Sequence, residues 1–388
     1  MTVAVPPPDI ARTLALRFAE TAAEHDRSGA FPHGNFAALH EAGLTALTVP
    51  GRLGGGGAGL ARAAEVVGAI GSGDPATALV LAMTLLQHGL VHGPASRWPR
   101  AVADRLGQEA VARGALVNAL RVEPGLGTPA RGGLPETLAR RERDGWRISG
   151  RKIYSTGAPA LAYGLVFART DEPAPRIGNL LVPFGAPGLR IEETWDHLGL
   201  RASGSHDVVL ENVFVPLDHA VDLRPPQDWQ GGDPLQQAWS CALLAALYDG
   251  VARGAQAWLV GFLRERTPGS LGAPLAGLPR FQEAVGETER LLSVNTRLIA
   301  SLAAQTDAGP VPPPSEAGFV KLTVTENAIA LVQRAVELTG NAALARRNPL
   351  ERHLRDVLCA RIHWPQGDAV RTQAGRAALE ASSEGIFP

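Results

Sequence analysis

Apolar residues three and four apart dominate the chain from Ile10 to about Arg113, in runs such as "IARTLALRFAETAAEH", "LARAAEVVGAIG" and "ATALVLAMTLLQHGLVHG". That is the period of helices that bury a face. From Gly114 to about Leu223 the period shortens to two in "GWRISGRKIY", "YGLVFART" and "SHDVVLENVFVP", cut by Gly, Pro and Asp, which predicts an antiparallel sheet. After "RPPQDWQGGDP", long helical patterns return from about Leu235 to Glu380 and predict a bundle. The expected fold class is α+β: an N-terminal α-helical domain (1–113), a central antiparallel β domain (114–223) and a C-terminal helical bundle (224–388).

Within the last region, "NPLERHLRDVLCARIHWPQGD" (348–368) reads as a helix with Asn348 as N-cap, Pro349 at the first helical position and Glu351 as a capping-box carboxylate. At a hundred degrees per residue, Leu350, Leu354, Val357, Leu358 and Arg361 share a core face, and Arg352, Asp356 and His363 a polar stripe. The helix is expected to stop before Pro365, which places His363 and Trp364 in its last turn with no carboxylate beside them until Asp368.

Composition narrows the function. A chain of 388 residues, 45% hydrophobic and 19% charged, is long enough for two or three cores, and its net charge of -1 gives no footprint for nucleic acid. The two cysteines, Cys241 and Cys359, lie in apolar helical patterns and build no disulfide framework, which fits a cytoplasmic protein. No stretch predicts a membrane span or an export signal.

The candidate chemistry is sparse. Gly54, Gly56 and Gly59 have dinucleotide-fingerprint spacing, but the second strand and the acidic residue of a Rossmann unit do not follow, so a surface turn between helices is the better reading. His88 sits in an apolar helix, where a lone His is more often a satisfied core residue than a catalyst. His92 completes an HxxxH spacing, yet "HGLVH" lacks the Glu of a zinc protease motif and no third ligand is nominated, so no metal is expected. "GRKIYSTGAPA" gathers an aromatic ring (Tyr154) and two hydroxyls (Ser155, Thr156) at a strand end, a set able to hold a heterocycle or simply to end a strand.

Together, "VPGRLGGGGAGL", "LRVEPGLGTP", "GRKIYSTGA", "LGLRASGSHDVVLENVFVP" and "VELTGNAALARRNPLERHLRD" resemble, in order and over nearly the whole chain, the acyl-CoA dehydrogenase superfamily. The resemblance implies a C-terminal four-helix bundle, a flavin (FAD or FMN) held between the domains, and a homotetramer. It implies flavin contacts from Val122, Gly127, Thr128, Tyr154, Ser155 and Thr156, with Gly340 and Asn341 supplied by a neighbouring subunit.

The departures set the subclass. The family's dehydrogenases use a Glu to remove the α-proton of an acyl thioester, whereas ungapped alignment from "LERHLRD" puts Trp364 at that position and a two-residue slip puts Gln366 there. The other helix that supplies the Glu in some relatives offers only Gln236, Gln237 and Trp239. A positioned base contributes about 10²- to 10⁴-fold, so its loss argues against efficient α,β-dehydrogenation. The residues resemble more closely the flavin-monooxygenase branch, which includes dibenzothiophene monooxygenases supplied with reduced flavin by a separate reductase. That resemblance implies catalytic roles for His88, Ser155 and His363 and a small-molecule substrate pocket walled by His88, Trp239 and Trp364. An imidazole can hydrogen-bond or protonate oxygen activated at a reduced flavin without removing a carbon-bound proton. The alternatives are an FAD-dependent acyl-CoA dehydrogenase with another base and a non-catalytic paralogue.

Overall fold

The helical periodicity of the first third resolves into α1 (Pro7–Ser28), α2 (His33–Glu41), α3 (Leu60–Gly71), α4 (Pro75–Val91) and α5 (Arg100–Arg113). The structure, a computed structural model, describes residues 5–125, 134–229 and 232–380. Helix α4 has a strong start: Pro75 stands in its first turn, and the Asp74 carboxylate accepts from the Ala76 and Thr77 amides at 3.0 and 3.2 Å. Apolar on nearly every face, α4 runs through the core. Helix α3 carries Gly68 and Gly71 where it crosses α6 (Pro234–Glu265), and a Cβ on Gly71 would lie 2.8 Å from the Leu247 carbonyl, so only glycine permits that approach.

The segment before Gly54 is a series of turns, not a strand. The N-terminus of α3 is filled from within the chain, since the Asp307 carboxylate accepts from the Leu60 and Ala61 amides at 2.7 and 2.9 Å. A phosphate would find that end occupied by a like charge.

The central residues form one sheet from β1 (Leu116–Leu120), β2 (Leu138–Arg141), β3 (Gly145–Lys152), β4 (Leu161–Thr170), β5 (Ile177–Pro183), β6 (Leu189–Glu192), β7 (Asp207–Pro216) and β8 (Ala220–Arg224). Its order is β6-β7-β3-β2-β4-β5-β8, and β1 also pairs with β4. The sheet is mixed, not antiparallel throughout: β1 and β2 both run parallel to β4, lying end to end along one of its edges. Alternation of apolar residues reports which face is buried and carries no information on strand direction, which is why the sequence pattern missed this.

The C-terminal region packs α6, α7 (Pro279–Asp307) and α8 (Pro314–Thr339), with α11 (Gly367–Glu380) against α8. Short α9 (Asn341–Leu344) and α10 (Leu350–Leu358) intervene. Helix α10 ties three regions together. Its Asp356 accepts from the Leu200 amide at 2.7 Å, and its Arg355 bonds Asp26 of α1 at 2.6 and 2.9 Å.

Three details of this helix differ from expectation. Asn348 turns its amide to the Ala342 carbonyl, Pro349 takes the N-cap position without a side-chain cap, and Glu351 bonds Arg355 instead of reaching back. Arg352 and Asp356, expected on a polar stripe, are buried because α10 is enclosed on both sides. The α-helix ends at Leu358 and tightens into a 3₁₀ turn (Cys359–Arg361), so His363 and Trp364 occupy a bend beyond it.

Candidate functional site

The end of β3 is positioned by a buried ion pair. Lys152 Nζ lies 2.5 Å from Glu123 Oε1 and also donates to the Phe167 carbonyl, while Glu123 accepts from Glu136 N, Thr137 N and Thr137 Oγ1. Burial pulls the Lys152 pKa down to about 8, against the nearby carboxylate that raises it. The pair pins the segment containing Val122 to β3, and Ile153 N donates to the Val122 carbonyl at 3.0 Å. Val122 and Tyr154 are thereby neighbours. Gly127 and Thr128 lie outside the described residues.

Tyr154 adopts a left-handed backbone (φ 57°), uncommon for an aromatic residue, and its ring stays half exposed. The ring meets Trp195 and His197 edge-on, and those two stack on each other at 3.6 Å. Ser155 N donates to the His206 carbonyl, Asn118 Nδ2 donates to the Thr156 carbonyl at 3.0 Å, and the Thr156 hydroxyl lies 3.0 Å from that of Ser205. The Ser155 hydroxyl itself is buried without a partner.

Helix α4 passes beneath this turn: a Cβ on Gly157 would sit 2.9 Å from Val80. Two turns on, His88 is fully buried with both ring nitrogens unpartnered, and burial with the neighbouring His92 lowers its pKa to about 3. His92 stacks on it at 5.8 Å, its nitrogens likewise unpartnered. Gly89 lets Trp239 of α6 lie on the α4 backbone, since a Cβ there would be 2.5 Å from the indole. Trp239 thus packs on α4 one residue along the chain from His88.

His363 reaches α6 at Tyr248, nine residues or roughly 13 Å along the axis from Trp239. The Tyr248 hydroxyl is 2.8 Å from His363 Nδ1. Burial, with help from Lys321, lowers the His363 pKa to about 4. Lys321 holds the bend: its Nζ donates to the carbonyls of Ala360, His363 and Pro365 at 2.8, 2.8 and 3.1 Å. Burial pulls its pKa to about 8, and only the ammonium form has three protons for three carbonyls. Trp364 is partly exposed at the outer side of the bend.

Among the described residues, no direct hydrogen bond joins His88, Ser155 and His363. Gly340 and Asn341 lie elsewhere, at the end of α8. Asn341 lines a cavity of about 670 Å³ with Trp258, Phe262, Arg266 and Arg347. Tyr248, Lys321, Asn118 and Ser205 carry much of the site's geometry and were not singled out from the sequence. Lys321 had one visible signal, a lone cation in the apolar run "GFVKLTV".

The residues fit a flat, polar heteroaromatic group. Unpartnered buried atoms on Ser155 and His88 lack the hydrogen bonds that buried polar groups ordinarily make. Among the described residues, no three His, Cys, Asp or Glu side chains are placed to hold a metal ion. No described helix is long and apolar enough to cross a membrane.

The three domain families of acyl-CoA dehydrogenase match this chain in order: N-terminal over residues 9–95, middle over 121–213 and C-terminal over 242–365. The chain belongs to the acyl-CoA dehydrogenase superfamily, as a flavoenzyme-type oxidoreductase. Within it, the chain is 36% identical to the putative acyl-CoA dehydrogenase YdbM of Bacillus subtilis, with 95% of each chain covered. It is 32% identical to L-evernosamine nitrososynthase of a Micromonospora species, covering 93% of this chain and 87% of that one. Among solved structures, KijD3 in complex with FMN and dTDP-3-amino-2,3,6-trideoxy-4-keto-3-methyl-D-glucose superimposes with a TM-score of 0.83 at 28% identity, covering 97% of this chain and 94% of that one. Dibenzothiophene monooxygenase TdsC of Paenibacillus sp. A11-2 shares the fold, with a TM-score of 0.80 at 22% identity and 98% of each chain covered.

Proposed function

We propose that this chain is the oxygenase of a two-component flavin monooxygenase, taking reduced flavin from a separate reductase and O₂ to oxidise a small organic substrate. The observation that carries the reading is His363: an imidazole bonded to Tyr248 stands directly before Trp364, the residue that alignment sets against the carboxylate of the superfamily's dehydrogenases. The neighbouring candidates Trp364, Gln366, Gln236, Gln237 and Trp239 offer no base. Of the acids nearby, Asp233 is committed to capping α6, and Asp249, which follows Tyr248 in that helix, is engaged by Arg253 and Asn295.

Reduced flavin would supply the electrons for oxygen activation. Val122, Tyr154, Ser155 and Thr156 would bind its ring system, with Gly127 and Thr128 continuing the same segment and Gly340 and Asn341 reaching it from a neighbouring subunit of a homotetramer. Ser155 and His88 would bond its polar edge or the substrate, His363 would hold a proton at Nε2, and Trp239 and Trp364 would keep water from the substrate. A cytoplasmic setting suits the two unpaired thiols. Because two relatives bear the name nitrososynthase, amines are the first substrate class to try.

Calorimetric titration with FMN and FAD, each oxidised and reduced, tests the reading; binding of none of the four would overturn it and support a non-catalytic paralogue. A second reading, an FAD-dependent acyl-CoA dehydrogenase, draws on the 36% identity to a putative enzyme of that name. Anaerobic bleaching of protein-bound FAD by an acyl-CoA would establish it in place of the first.

A further inference from the structure

A cavity of about 710 Å³ opens between α1, the loop leading into β7 and the start of α10. Six guanidinium groups line it, those of Arg27, Arg201, Arg346, Arg347, Arg352 and Arg355, against two carboxylates, Asp26 and Glu351. Both carboxylates are engaged by Arg355, at 2.6 and 2.9 Å for Asp26 and 2.9 and 3.1 Å for Glu351. Arg201 is held by Asp196 and by the carbonyls of Asp26 and His197. Among the described residues, Arg27, Arg346, Arg347 and Arg352 have no carboxylate partner.

Arg352 is the decisive one. It is only 6% exposed, and its Nε is buried with no acceptor. The carboxyls of Asp74 and Asp356 feel its charge, yet Asp74 bonds Asn35 and the start of α4, and Asp356 bonds the Leu200 amide. A buried cation left short of acceptors is costly and calls for a partner. Helix α10 opens on the same wall without a side-chain cap, so its first amides add partial positive charge. At the mouth, the His197 ring backed by Trp195 presents a flat face.

We propose that this cavity binds a small molecule through a phosphate or diphosphate group, with Arg352 bonding the buried oxygens and Arg27 and Arg346 the outer ones. His197 would stack on a ring attached to that group. The site adjoins the proposed flavin contacts where His197 meets Tyr154, at 5.9 Å, and where Arg347 is shared with the cavity that Asn341 lines, but it is argued from its own arginines and does not depend on the flavin reading.

The test is calorimetric titration of the full-length protein, saturated with FMN, using inorganic phosphate, inorganic pyrophosphate and ADP. Saturable binding is expected, tighter for pyrophosphate than for phosphate and weakening as salt rises. Tighter binding of ADP than of pyrophosphate identifies an organic diphosphate as the ligand; equal binding identifies the free anion, and either supports the site. The double variant Arg27→Gln/Arg346→Gln should weaken pyrophosphate roughly ten- to a hundredfold, the loss of a charge-assisted hydrogen bond or two. Arg352→Met should abolish binding, and neither variant should change FMN affinity. No saturable binding of any of the three probes, or unchanged pyrophosphate affinity in the double variant, overturns the proposal. Should Arg352→Met fail to fold, the double variant of exposed residues decides alone.

Discussion

The Tyr248 hydroxyl and His363 Nδ1 stand 2.8 Å apart, and this contact sets the histidine's tautomer. Burial holds the phenol protonated, with its pKa well above the ordinary value, and Nδ1 is its one hydrogen-bond partner among the described residues. The phenol therefore donates, and the ring proton resides on Nε2. Tyr248→Phe keeps the volume and removes the donor. The expected outcome is retained flavin binding, a stability loss of about 1 to 3 kcal/mol from the stranded Nδ1, and more hydrogen peroxide released per substrate oxidised. Denaturant unfolding and a peroxide assay check the two effects separately.

Three buried histidines should make the protein sensitive to acid. Burial lowers the pKa of His88 and His353 to about 3 and that of His363 to about 4, so all three are neutral when folded and gain protons on unfolding below about pH 6.5. Their contribution is full above pH 6.5 and is lost as pH falls toward the folded values. Asp356 acts with the opposite sign, because burial raises its pKa to about 7 and the folded form keeps a proton that the unfolded chain releases above about pH 4. Asp356 thus offsets part of the slope, to which His92, His197, His206 and His219, all lowered by burial, add. A single variant isolates one contribution: His353→Gln should reduce the pH dependence of unfolding free energy by about 1.4 kcal/mol per pH unit between pH 4 and 6. Urea titrations of both proteins across that range measure it.

Much of this was legible from local patterns. Asp74 and Pro75 announce the start of α4, and Asp233 and Pro234 that of α6, because caps are written in adjacent residues. What depends on tertiary placement was hidden. Strand direction at β1 and β2 follows from the path of the whole chain, and Arg352 and Asp356 are buried because α10 is enclosed by neighbours distant in sequence. At the site, Tyr154 and His88 could be nominated from residue type and resemblance. Tyr248 and Lys321 sit inside apolar helical runs, and their roles come from a bend 39 to 115 residues further along.

Gly89 offers a steric probe of the proposed substrate pocket. A methyl group there would meet the Trp239 ring carbons at 2.5 to 2.8 Å, so the indole must move. Gly89→Ala is expected to lower stability by about 1 to 3 kcal/mol through overpacking and, with the ring displaced beside His88, to raise the KM for a bulky amine more than for a small one. Equal KM changes for both would place Trp239 outside the pocket.

The sharpest prediction concerns His363. With Nδ1 taken by Tyr248, the imidazole can offer a proton only from Nε2, and its pKa near 4 keeps it neutral at physiological pH. A hydrogen bond to a charged or partly charged oxygen contributes on the order of 1.5 to 3 kcal/mol, or roughly ten- to a hundredfold in rate if it is lost selectively during oxygen activation. His363→Ala should therefore bind FMN as the parent does, consume O₂ in the presence of a reductase, and return most of it as hydrogen peroxide instead of product. His363→Gln retains a donor and should recover part of the coupling. A residue that served only to fill the bend behaves differently: both variants would then melt earlier and keep the parent's ratio of product to peroxide. Melting curves and paired product and peroxide assays distinguish the two. An unchanged ratio would remove His363 from the catalytic list, and with it the main ground for reading this site as an oxygenase.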